Sequence, residues 1–178
     1  MRIISGTHKG KKILAPKHLS ARPTTDMSKE ALFNILRNRF YLSECKILDL
    51  FSGTGNISYE FASRNSSDVT AVDRDTNSVK FISKTAKLLD FPIKVFKSDV
   101  NRFLKKTTEQ FDIIFADPPY RLEYIEFEEM VKLIFERSVI REEGLLIIEH
   151  SKHTDQSTLD YFSESRRYGS SVFSFFMK

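Results

Sequence analysis

The sequence predicts an α/β protein built on a mostly parallel β-sheet with helices on both faces. From residue 46 to residue 149, short apolar segments typical of strands alternate with longer amphipathic segments typical of helices. This alternation favours parallel strands joined by helical crossovers. The final segment, residues 166–176, reads as two strands around a tight turn. We therefore expect a seven-stranded sheet that ends in a C-terminal antiparallel hairpin.

Each element has its own signal along the chain. The turn-like segment 21–26 supplies a cap for a first helix that ends near Arg39. Glycines follow the first apolar run, 46–51, and end that strand. Val79, Ile82 and Ala86 recur at helical spacing and predict the helix 75–89. The predicted strands are 46–51, 69–72, 93–96, 111–116 and 144–149, followed by two within 166–176, and the further predicted helices are 55–64, 75–89, 100–105 and 124–136.

The N-terminal segment is strongly basic and reads as a hairpin. A chain of 178 residues predicts a single domain, 1–178. Its first 46 residues contain ten Lys or Arg and three Asp or Glu, whereas the other 132 contain 18 and 21. Apolar residues and two glycines interrupt the charges, so we expect an ordered N-terminal β-hairpin extension, 1–22, instead of a loose tail. Such a surface suits a polyanion, although a solvated basic loop is the simpler alternative.

Composition excludes several classes of protein. The single cysteine, Cys45, cannot form an intramolecular disulfide, and no apolar run approaches the ~20 residues of a membrane helix. The first residues contain no secretory signal, so a cytoplasmic location is expected. The isolated histidines suggest no metal site. No heptad pattern indicates an assembly, so we expect a monomer.

A glycine-containing turn follows the first predicted strand. Asp49 is followed by Phe51, Ser52, Gly53 and Gly55, just before a predicted helix. Two glycines allow a tight turn and close approach to a ligand, and a helix N-terminus favours a carboxylate or phosphate. The third glycine of a dinucleotide-binding motif is missing, so that interpretation is weak. An ordinary strand-to-helix turn is the alternative.

Two further carboxylates stand at the ends of the next two predicted strands. Asp73 ends the second strand, where a carboxylate can accept hydrogen bonds from both hydroxyls of a ribose. Its alternative role is to cap the next helix, although Asp75 could do so instead. Asp99, followed by Val100, comes after the third strand and could accept from an adenine amino group or act as a cap.

The segment Asp117-Pro118-Pro119-Tyr120 is the most informative in the sequence. It directly follows the fourth predicted strand. Two prolines fix φ and remove two N–H donors, which holds the neighbouring carbonyls in a defined direction. Asp117 and a carbonyl could then accept both hydrogens of a planar amino group, and Tyr120 could stack on a base. The alternative is that the prolines simply end the strand.

Together these segments resemble the S-adenosylmethionine-dependent amino-methyltransferases. The N-terminal segments narrow the resemblance to the 16S ribosomal RNA guanine-N2 methyltransferases, the ribosomal RNA small subunit methyltransferase D family. These segments are 2–6, 9–12, 22–26 and 30–36. The similarity runs from Arg2 to the terminal hairpin, with small departures in the Ser-Gly-Thr-Gly turn and in the short last loops.

The resemblance implies a Rossmann-like class I fold, S-adenosylmethionine as cofactor, and a guanine N2 amine in 16S rRNA, naked or in the assembling 30S subunit, as target. It assigns catalysis to Asp117, Pro118 and Tyr120. The implied cofactor-binding residues are Asp49, Phe51, Ser52, Gly53, Gly55, Asp73, Asp99 and Val100. The RNA-binding candidates, from the charge pattern, are Arg2, Lys9, Lys11, Lys12 and Arg22.

Three other functions remain open from the residues alone. The Asp-Pro-Pro-Tyr segment would serve the N6 amine of adenine in DNA, or the amide of a protein glutamine, as well as guanine N2. A non-catalytic RNA-binding module is a third alternative, although the complete set of carboxylates argues against it.

Overall fold

A computed structural model of the chain describes residues 1–16, 19, 24–119 and 121–178. Arg22 and Tyr120 lie outside the described residues, so their predicted roles stay predictions. The strands are β1 (Lys46–Leu50), β2 (Asp68–Asp73), β3 (Ile93–Lys97), β4 (Phe111–Ala116), β5 (Ile140–Ser151), β6 (Phe162–Tyr168) and β7 (Ser171–Phe176). The helices are α1 (Asp26–Arg37), α2 (Asn56–Ser63), α3 (Thr76–Leu88), α4 (Val100–Lys106) and α5 (Tyr124–Glu136).

The sheet confirms the predicted fold class. Its strand order is β3-β2-β1-β4-β5-β7-β6. The first five strands of this order are parallel, and β7 lies antiparallel between β5 and β6. The order reverses at β1, whose neighbours β2 and β4 lead away in opposite directions. Such a reversal opens a crevice at the carboxyl ends of the strands.

Helices cover both faces of the sheet because alternate strand residues are apolar on each face. Ile113 and Phe115 of β4 pack on the face covered by α1 and α2, whereas Ile114 and Ala116 pack on the face covered by α4 and α5. A third apolar cluster joins α3 to the N-terminal segment through Ile3 and Ile82. Among the described residues, no helix has the length and apolar character needed to cross a membrane.

Two strands begin four residues before the positions that the sequence predicts. The fifth strand begins at Ile140 instead of residue 144, and its pairing with β4 shifts register between Phe111 and Ile113. The sixth strand begins at Phe162, well before residue 166. This strand lies at the sheet edge with most side chains exposed, so its polar sequence carries no apolar strand pattern.

The predicted N-terminal hairpin is irregular. Within residues 1–16, the structure shows one antiparallel bridge, between Arg2 and Lys12, instead of two regular strands. The reason is that the backbone of this N-terminal arm (residues 1–16) hydrogen-bonds to α2. The Glu60 carboxylate accepts from the N–H groups of Ile4 and Ser5, at 2.9 and 3.1 Å. The Thr7 N–H donates to the Ser63 carbonyl at 2.7 Å.

The buried Lys29 ammonium joins the arm, α1 and α2. Its side chain is 1% exposed. Nζ donates to the Arg2 carbonyl and, at 2.9 Å, to Oδ1 of Asn56, and it lies 3.5 Å from the fully buried Glu60 carboxylate. Arg64 pairs with the same carboxylate at 2.8 Å. Burial lowers the pKa of Lys29, and the charge of Glu60 opposes this shift.

We expect Lys29→Met to lower the free energy of unfolding by about 3 kcal/mol or more, because it leaves the buried Glu60 without one of its cations. Lys94→Met provides a matched control, since the Lys94 ammonium pairs with Asp68 at the surface and is 60% exposed. That control should change the free energy by less than about 1 kcal/mol. Urea unfolding followed by circular dichroism measures both. Equal changes in the free energy of unfolding would show that the buried contact of Lys29 contributes no more to stability than the surface pair of Lys94.

Candidate functional site

A large cavity lies at the carboxyl edge of the sheet, where the strand order reverses. Its volume is about 800 Å³, within the ~300–1,000 Å³ range of ligand pockets. The predicted site residues that line it are Phe51, Gly53, Asp73, Asp99, Val100, Asp117 and Pro118. The structure therefore brings together residues from four strand ends, as the sequence predicts.

The turn after β1 forms one wall of this cavity. Phe51, Gly53 and Gly55 all have positive φ, at 57°, 54° and 78°. A left-handed conformation is uncommon for a bulky residue such as Phe51, which here lies at the wall of a ligand-sized cavity. At Gly55 a Cβ would lie 2.8 Å from the Tyr59 ring, so no side chain fits there.

Asp73 is held at the cavity wall by its neighbours. Its Oδ2 accepts from the Gly53 N–H at 2.7 Å, and its Oδ1 accepts from the Asp75 N–H at 2.8 Å. Asp75 is the cap of α3, since its carboxylate accepts from the Ser78 N–H at 2.8 Å. The alternative role considered for Asp73 thus belongs to Asp75, and the fixed Asp73 carboxylate can accept further hydrogen bonds from a ligand.

Asp99 is a helix cap that also lies at the cavity wall. Its Oδ1 accepts from the Arg102 N–H at 3.1 Å and caps α4, and the same residue lines the cavity beside Val100. The side chain is exposed, which leaves it accessible to a polar group in the cavity.

Asp49, Ser52 and Gly55 do not line the main cavity. Asp49 and Ser52 line a small adjoining cavity of about 30 Å³ together with Asp117. The Asp49 Oδ2 accepts from the Ser58 N–H at 3.1 Å and from its hydroxyl, and burial raises the pKa of Asp49 to about 7. The Ser52 hydroxyl donates to the Asp49 carbonyl at 2.6 Å and accepts from the Val72 N–H at 2.9 Å. The side chains of Asp49 and Ser52 thus form buried hydrogen bonds that stabilise the turn after β1.

Asp117 and Pro118 lie at the end of β4 and face the cavity. The Asp117 N–H donates to the Leu50 carbonyl at 3.4 Å, which holds the start of the segment against β1. Burial, then the negative charges of Glu149 and Asp49, raise the pKa of Asp117 well above its usual range. A ligand that donates hydrogen bonds to this carboxylate would relieve the unfavourable burial of its charge.

Glu149, the carboxylate beside Asp117, is not among the site residues predicted from the sequence. Glu149 lies on β5, is 5% exposed and lines the main cavity. Thr24 donates to its Oε2 at 2.6 Å, and the Thr24 carbonyl accepts from Asn56 at 3.2 Å. An acid at the end of the apolar run Leu145–Ile148 was the available signal, because the other strand-end acids mark the same edge.

The basic candidates of the arm differ in their surroundings. Arg2 forms an ion pair with Asp26 at 2.9 Å. Lys9, Lys11 and Lys12 are exposed and form no ion pair with any described residue. These three lysines therefore present the positive charge of the arm to solvent.

Other chemistry-bearing side chains serve packing. Burial raises the pKa of the Cys45 thiol to about 11, which leaves it unreactive. The His150 ring contacts the Ser174 hydroxyl at 2.7 Å and the Ser151 carbonyl at 2.9 Å, away from the cavity. Within the described part of the chain, no cluster of His, Cys, Asp and Glu could hold a metal ion.

Comparisons with known proteins agree with this architecture. A family model described as Conserved hypothetical protein 95 matches residues 1–177. The chain is 32% identical to ribosomal RNA small subunit methyltransferase D of Haemophilus influenzae over 85% of this chain and 79% of that protein.

Two solved structures show the same fold. The structure of a Thermus thermophilus hypothetical protein matches with a TM-score of 0.86 and 25% identity, over 100% of this chain and 99% of that one. A 16S rRNA N2 G1207 methyltransferase of T. thermophilus, in complex with AdoMet and guanosine, matches with a TM-score of 0.68 and 20% identity, over 89% of this chain and 45% of that one. With a cavity at the expected sheet edge and matches along nearly its whole length, the chain belongs to the Conserved hypothetical protein 95 family and, within it, to the ribosomal RNA small subunit methyltransferase D group.

Proposed function

We propose that the chain transfers a methyl group from S-adenosylmethionine to the exocyclic N2 of a guanine in 16S rRNA. The observation that carries this proposal is that Asp73 and the Asp117-Pro118 segment line the same cavity. One carboxylate suits a ribose and the other a planar amine, so a cofactor and a base can meet in the same space. The names of the relatives support the RNA target.

The residues present fit S-adenosylmethionine. The Asp73 carboxylate, fixed by Gly53 and Asp75, would accept from the ribose hydroxyls. Asp99 and the Val100 backbone would flank the adenine, and the turn from Phe51 would surround the methionine part. When bound, this cofactor supplies an electrophilic methyl group on a positively charged sulfur. Asp49, Ser52 and Gly55 would act on it indirectly, through the shape of the turn.

Asp117 and the Pro118 carbonyl would orient the guanine amine. The nitrogen lone pair of this amine is delocalised into the ring, so the group is a poor nucleophile. Two acceptors that bind both hydrogens would direct the lone pair toward the methyl group. As the nitrogen forms its new bond it becomes positive, and the Asp117 carboxylate would stabilise that charge and take the released proton. Alignment of the two reactants could contribute about 7–11 kcal/mol.

The N-terminal arm would bind RNA phosphates. Lys9, Lys11 and Lys12 are exposed on the arm, which Glu60 and Lys29 hold against the sheet domain. An arm fixed in this way can bind RNA in one orientation relative to the sheet, whereas a loose tail could only raise affinity. We propose that the arm and the sheet act as one unit in the cytoplasm.

Transfer of labelled methyl groups tests the proposed function. The substrates are naked 16S rRNA, 30S subunits, 23S rRNA and duplex DNA, and the methylated nucleosides are identified after digestion. We expect N2-methylguanosine in small-subunit RNA alone, and the better substrate of the first two shows at which stage of assembly the enzyme acts. N6-methyladenine in DNA, or methylation of a protein glutamine in the subunits, would contradict the proposal.

We expect Asp117→Asn to lower methyl transfer by about 100-fold or more, because the amide removes the negative charge that faces the reacting nitrogen. Affinity for S-adenosylhomocysteine, measured by calorimetry, should stay within a few-fold. The reciprocal variant Asp73→Ala should weaken that affinity by about 10–100-fold, as expected when hydrogen bonds to a charged group are lost. An Asp117→Asn enzyme with normal turnover would refute the assigned role.

Replacement of Lys9, Lys11 and Lys12 by Ser should weaken RNA binding and flatten its salt dependence. Because each phosphate contact contributes about 0.7–0.9 to the slope of log affinity against log salt, the slope should fall by about 2. A matched control replaces Lys105, Lys106 and Lys132, which lie on α4 and α5 on the opposite face of the sheet. If the control flattened the slope as much as the arm variant, the RNA surface would lie elsewhere.

A further inference from the structure

The N-terminal arm reaches the edge of the sheet opposite the cavity. Its turn, residues 6–10, packs at the end of α2, where the Thr7 N–H donates to the Ser63 carbonyl at 2.7 Å. The His8 ring meets the Phe91 ring at a centroid distance of 4.7 Å, and Phe91 lies just before β3. Residues that lead into the strands of a parallel sheet lie at its amino edge, so this turn lies away from the carboxyl edge.

The position of the arm limits which part of an RNA it can bind. Lys9 belongs to the turn at the amino edge, and Lys11 lies beside Ile3, whose N–H donates to the Lys11 carbonyl at 3.0 Å. A base in the cavity, in contrast, brings its two flanking phosphates to the carboxyl edge. The arm can therefore bind RNA at a distance from the target base, and the phosphates beside that base need other partners.

The carboxyl edge beyond β5 carries two cations beside the cavity. Ser151, the last residue of β5, pairs with Ser171 at the start of β7, and Ser171 pairs with Tyr168 at the end of β6. Ser171 also lines the main cavity. Lys152 directly follows Ser151, and Arg167 directly precedes Tyr168, so the topology places both at the rim of the cavity. We call Lys152 and Arg167 the rim cations.

The rim cations present their charge to solvent. Both side chains are exposed, and neither forms an ion pair with any described residue. The Arg167 Nε donates to the Gly169 carbonyl at 3.0 Å, which holds the guanidinium against the turn between β6 and β7. A Cβ added at Gly169 would meet nothing within 4 Å, so this turn faces open space. A guanidinium has five N–H donors, and the contact with Gly169 leaves donors for a phosphate.

No acid in the two connecting segments cancels this charge. Residues 152–154 and 166–171 contain no Asp or Glu. The Glu164 carboxylate, on β6, pairs with Arg166 at 3.0 Å. Arg121, in the connection between β4 and α5, lines the cavity and adds a further positive charge at this edge. The rim is therefore positive where a nucleic acid would leave the cavity.

We propose that the rim cations bind the RNA phosphates that flank the target base, while the arm binds a more distant part of the same RNA. This inference rests on the proposed function and deepens it. Lysine and arginine both bind phosphate groups, arginine in a bidentate geometry. Negative charge lies inside the cavity at Asp117 and positive charge lies at the rim, which suits a base that is inserted while its backbone stays outside.

Methyl transfer to the small-subunit RNA at several salt concentrations tests the charge of the rim. We expect Lys152→Ser combined with Arg167→Ser to raise KM by roughly 10-fold and to keep kcat within a few-fold, because the chemistry in the cavity is unchanged. The slope of log kcat/KM against log salt should fall by about 1.4, because each phosphate contact with a single strand contributes about 0.7.

Photocrosslinking tests where on the RNA each surface binds. A benzoylphenylalanine is introduced in place of His153, which is exposed and adjacent to Lys152, or in place of Lys9 in a second protein. The crosslinked nucleotides are then mapped by reverse transcription. We expect crosslinks from position 153 to the nucleotides next to the methylated guanine, and crosslinks from position 9 to a separate part of the RNA.

Arg37→Ser combined with Lys106→Ser provides the matched control, because it removes one arginine and one lysine that are exposed at the ends of α1 and α4, near the amino edge. This control should keep the wild-type KM and salt slope. Exchange of the rim cations, Lys152→Arg with Arg167→Lys, should also keep the wild-type slope, because both positive charges remain.

The outcomes separate the two proposals. If the wild-type protein methylates no RNA, the proposed function fails and the role of the rim cations fails with it. If it methylates RNA but the Ser variant of the rim keeps the wild-type salt slope, the rim cations are solvated surface charges and this inference alone is wrong. Crosslinks from position 153 to a ribosomal protein, or to nucleotides remote from the methylated guanine, would also contradict it.

Discussion

The buried cluster around Lys29 joins the N-terminal arm to α1 and α2. One ammonium group binds the Arg2 carbonyl of the arm, Asn56 at the start of α2 and the Glu60 carboxylate. Asn56 then binds Thr24, and Thr24 binds Glu149 at the cavity. A buried ion pair adds little net stability but fixes geometry, because separation of its partners leaves a charge without a partner. It therefore fixes the basic arm relative to the cavity.

The carboxyl edge of the sheet concentrates negative charge on one face. Asp49 and Glu149 lie on β1 and β5, and Asp117 directly follows β4, the strand between them. Asp49 accepts hydrogen bonds from Ser58, Glu149 accepts one from Thr24, and both Asp117 and Glu149 line the main cavity. The cost of burying these charges falls when hydrogen-bond donors of a substrate reach them. Chemistry on an electron-poor amine requires this arrangement, since the amine becomes positive as it reacts.

The sequence predicted the sheet and most of the cavity wall because strand periodicity and strand-end polar residues are local signals. Asp73, Asp99 and Asp117 each lie at or just after the end of a predicted strand. Gly53 and Gly55 likewise predict the turn after the first strand. Other features depended on distant contacts. The arm does not form two regular strands, because part of its backbone donates to Glu60 of α2, which lies more than 50 residues away in the sequence. The sequence does not single out Glu149, because its position beside Asp117 depends on the pairing of β5 with β4. The full length of β6 could not be predicted either, because most of its residues are polar and exposed.

The proposed function requires that one cavity aligns a cofactor and a guanine through Asp73 and Asp117. A crystal structure of the protein with S-adenosylhomocysteine and guanosine measures this most directly. We expect the ribose hydroxyls to lie within hydrogen-bond distance of Asp73, and the guanine N2 to lie within the same distance of Asp117 and the Pro118 carbonyl. A guanosine bound outside the cavity, or a cofactor whose ribose contacts another residue, would contradict it.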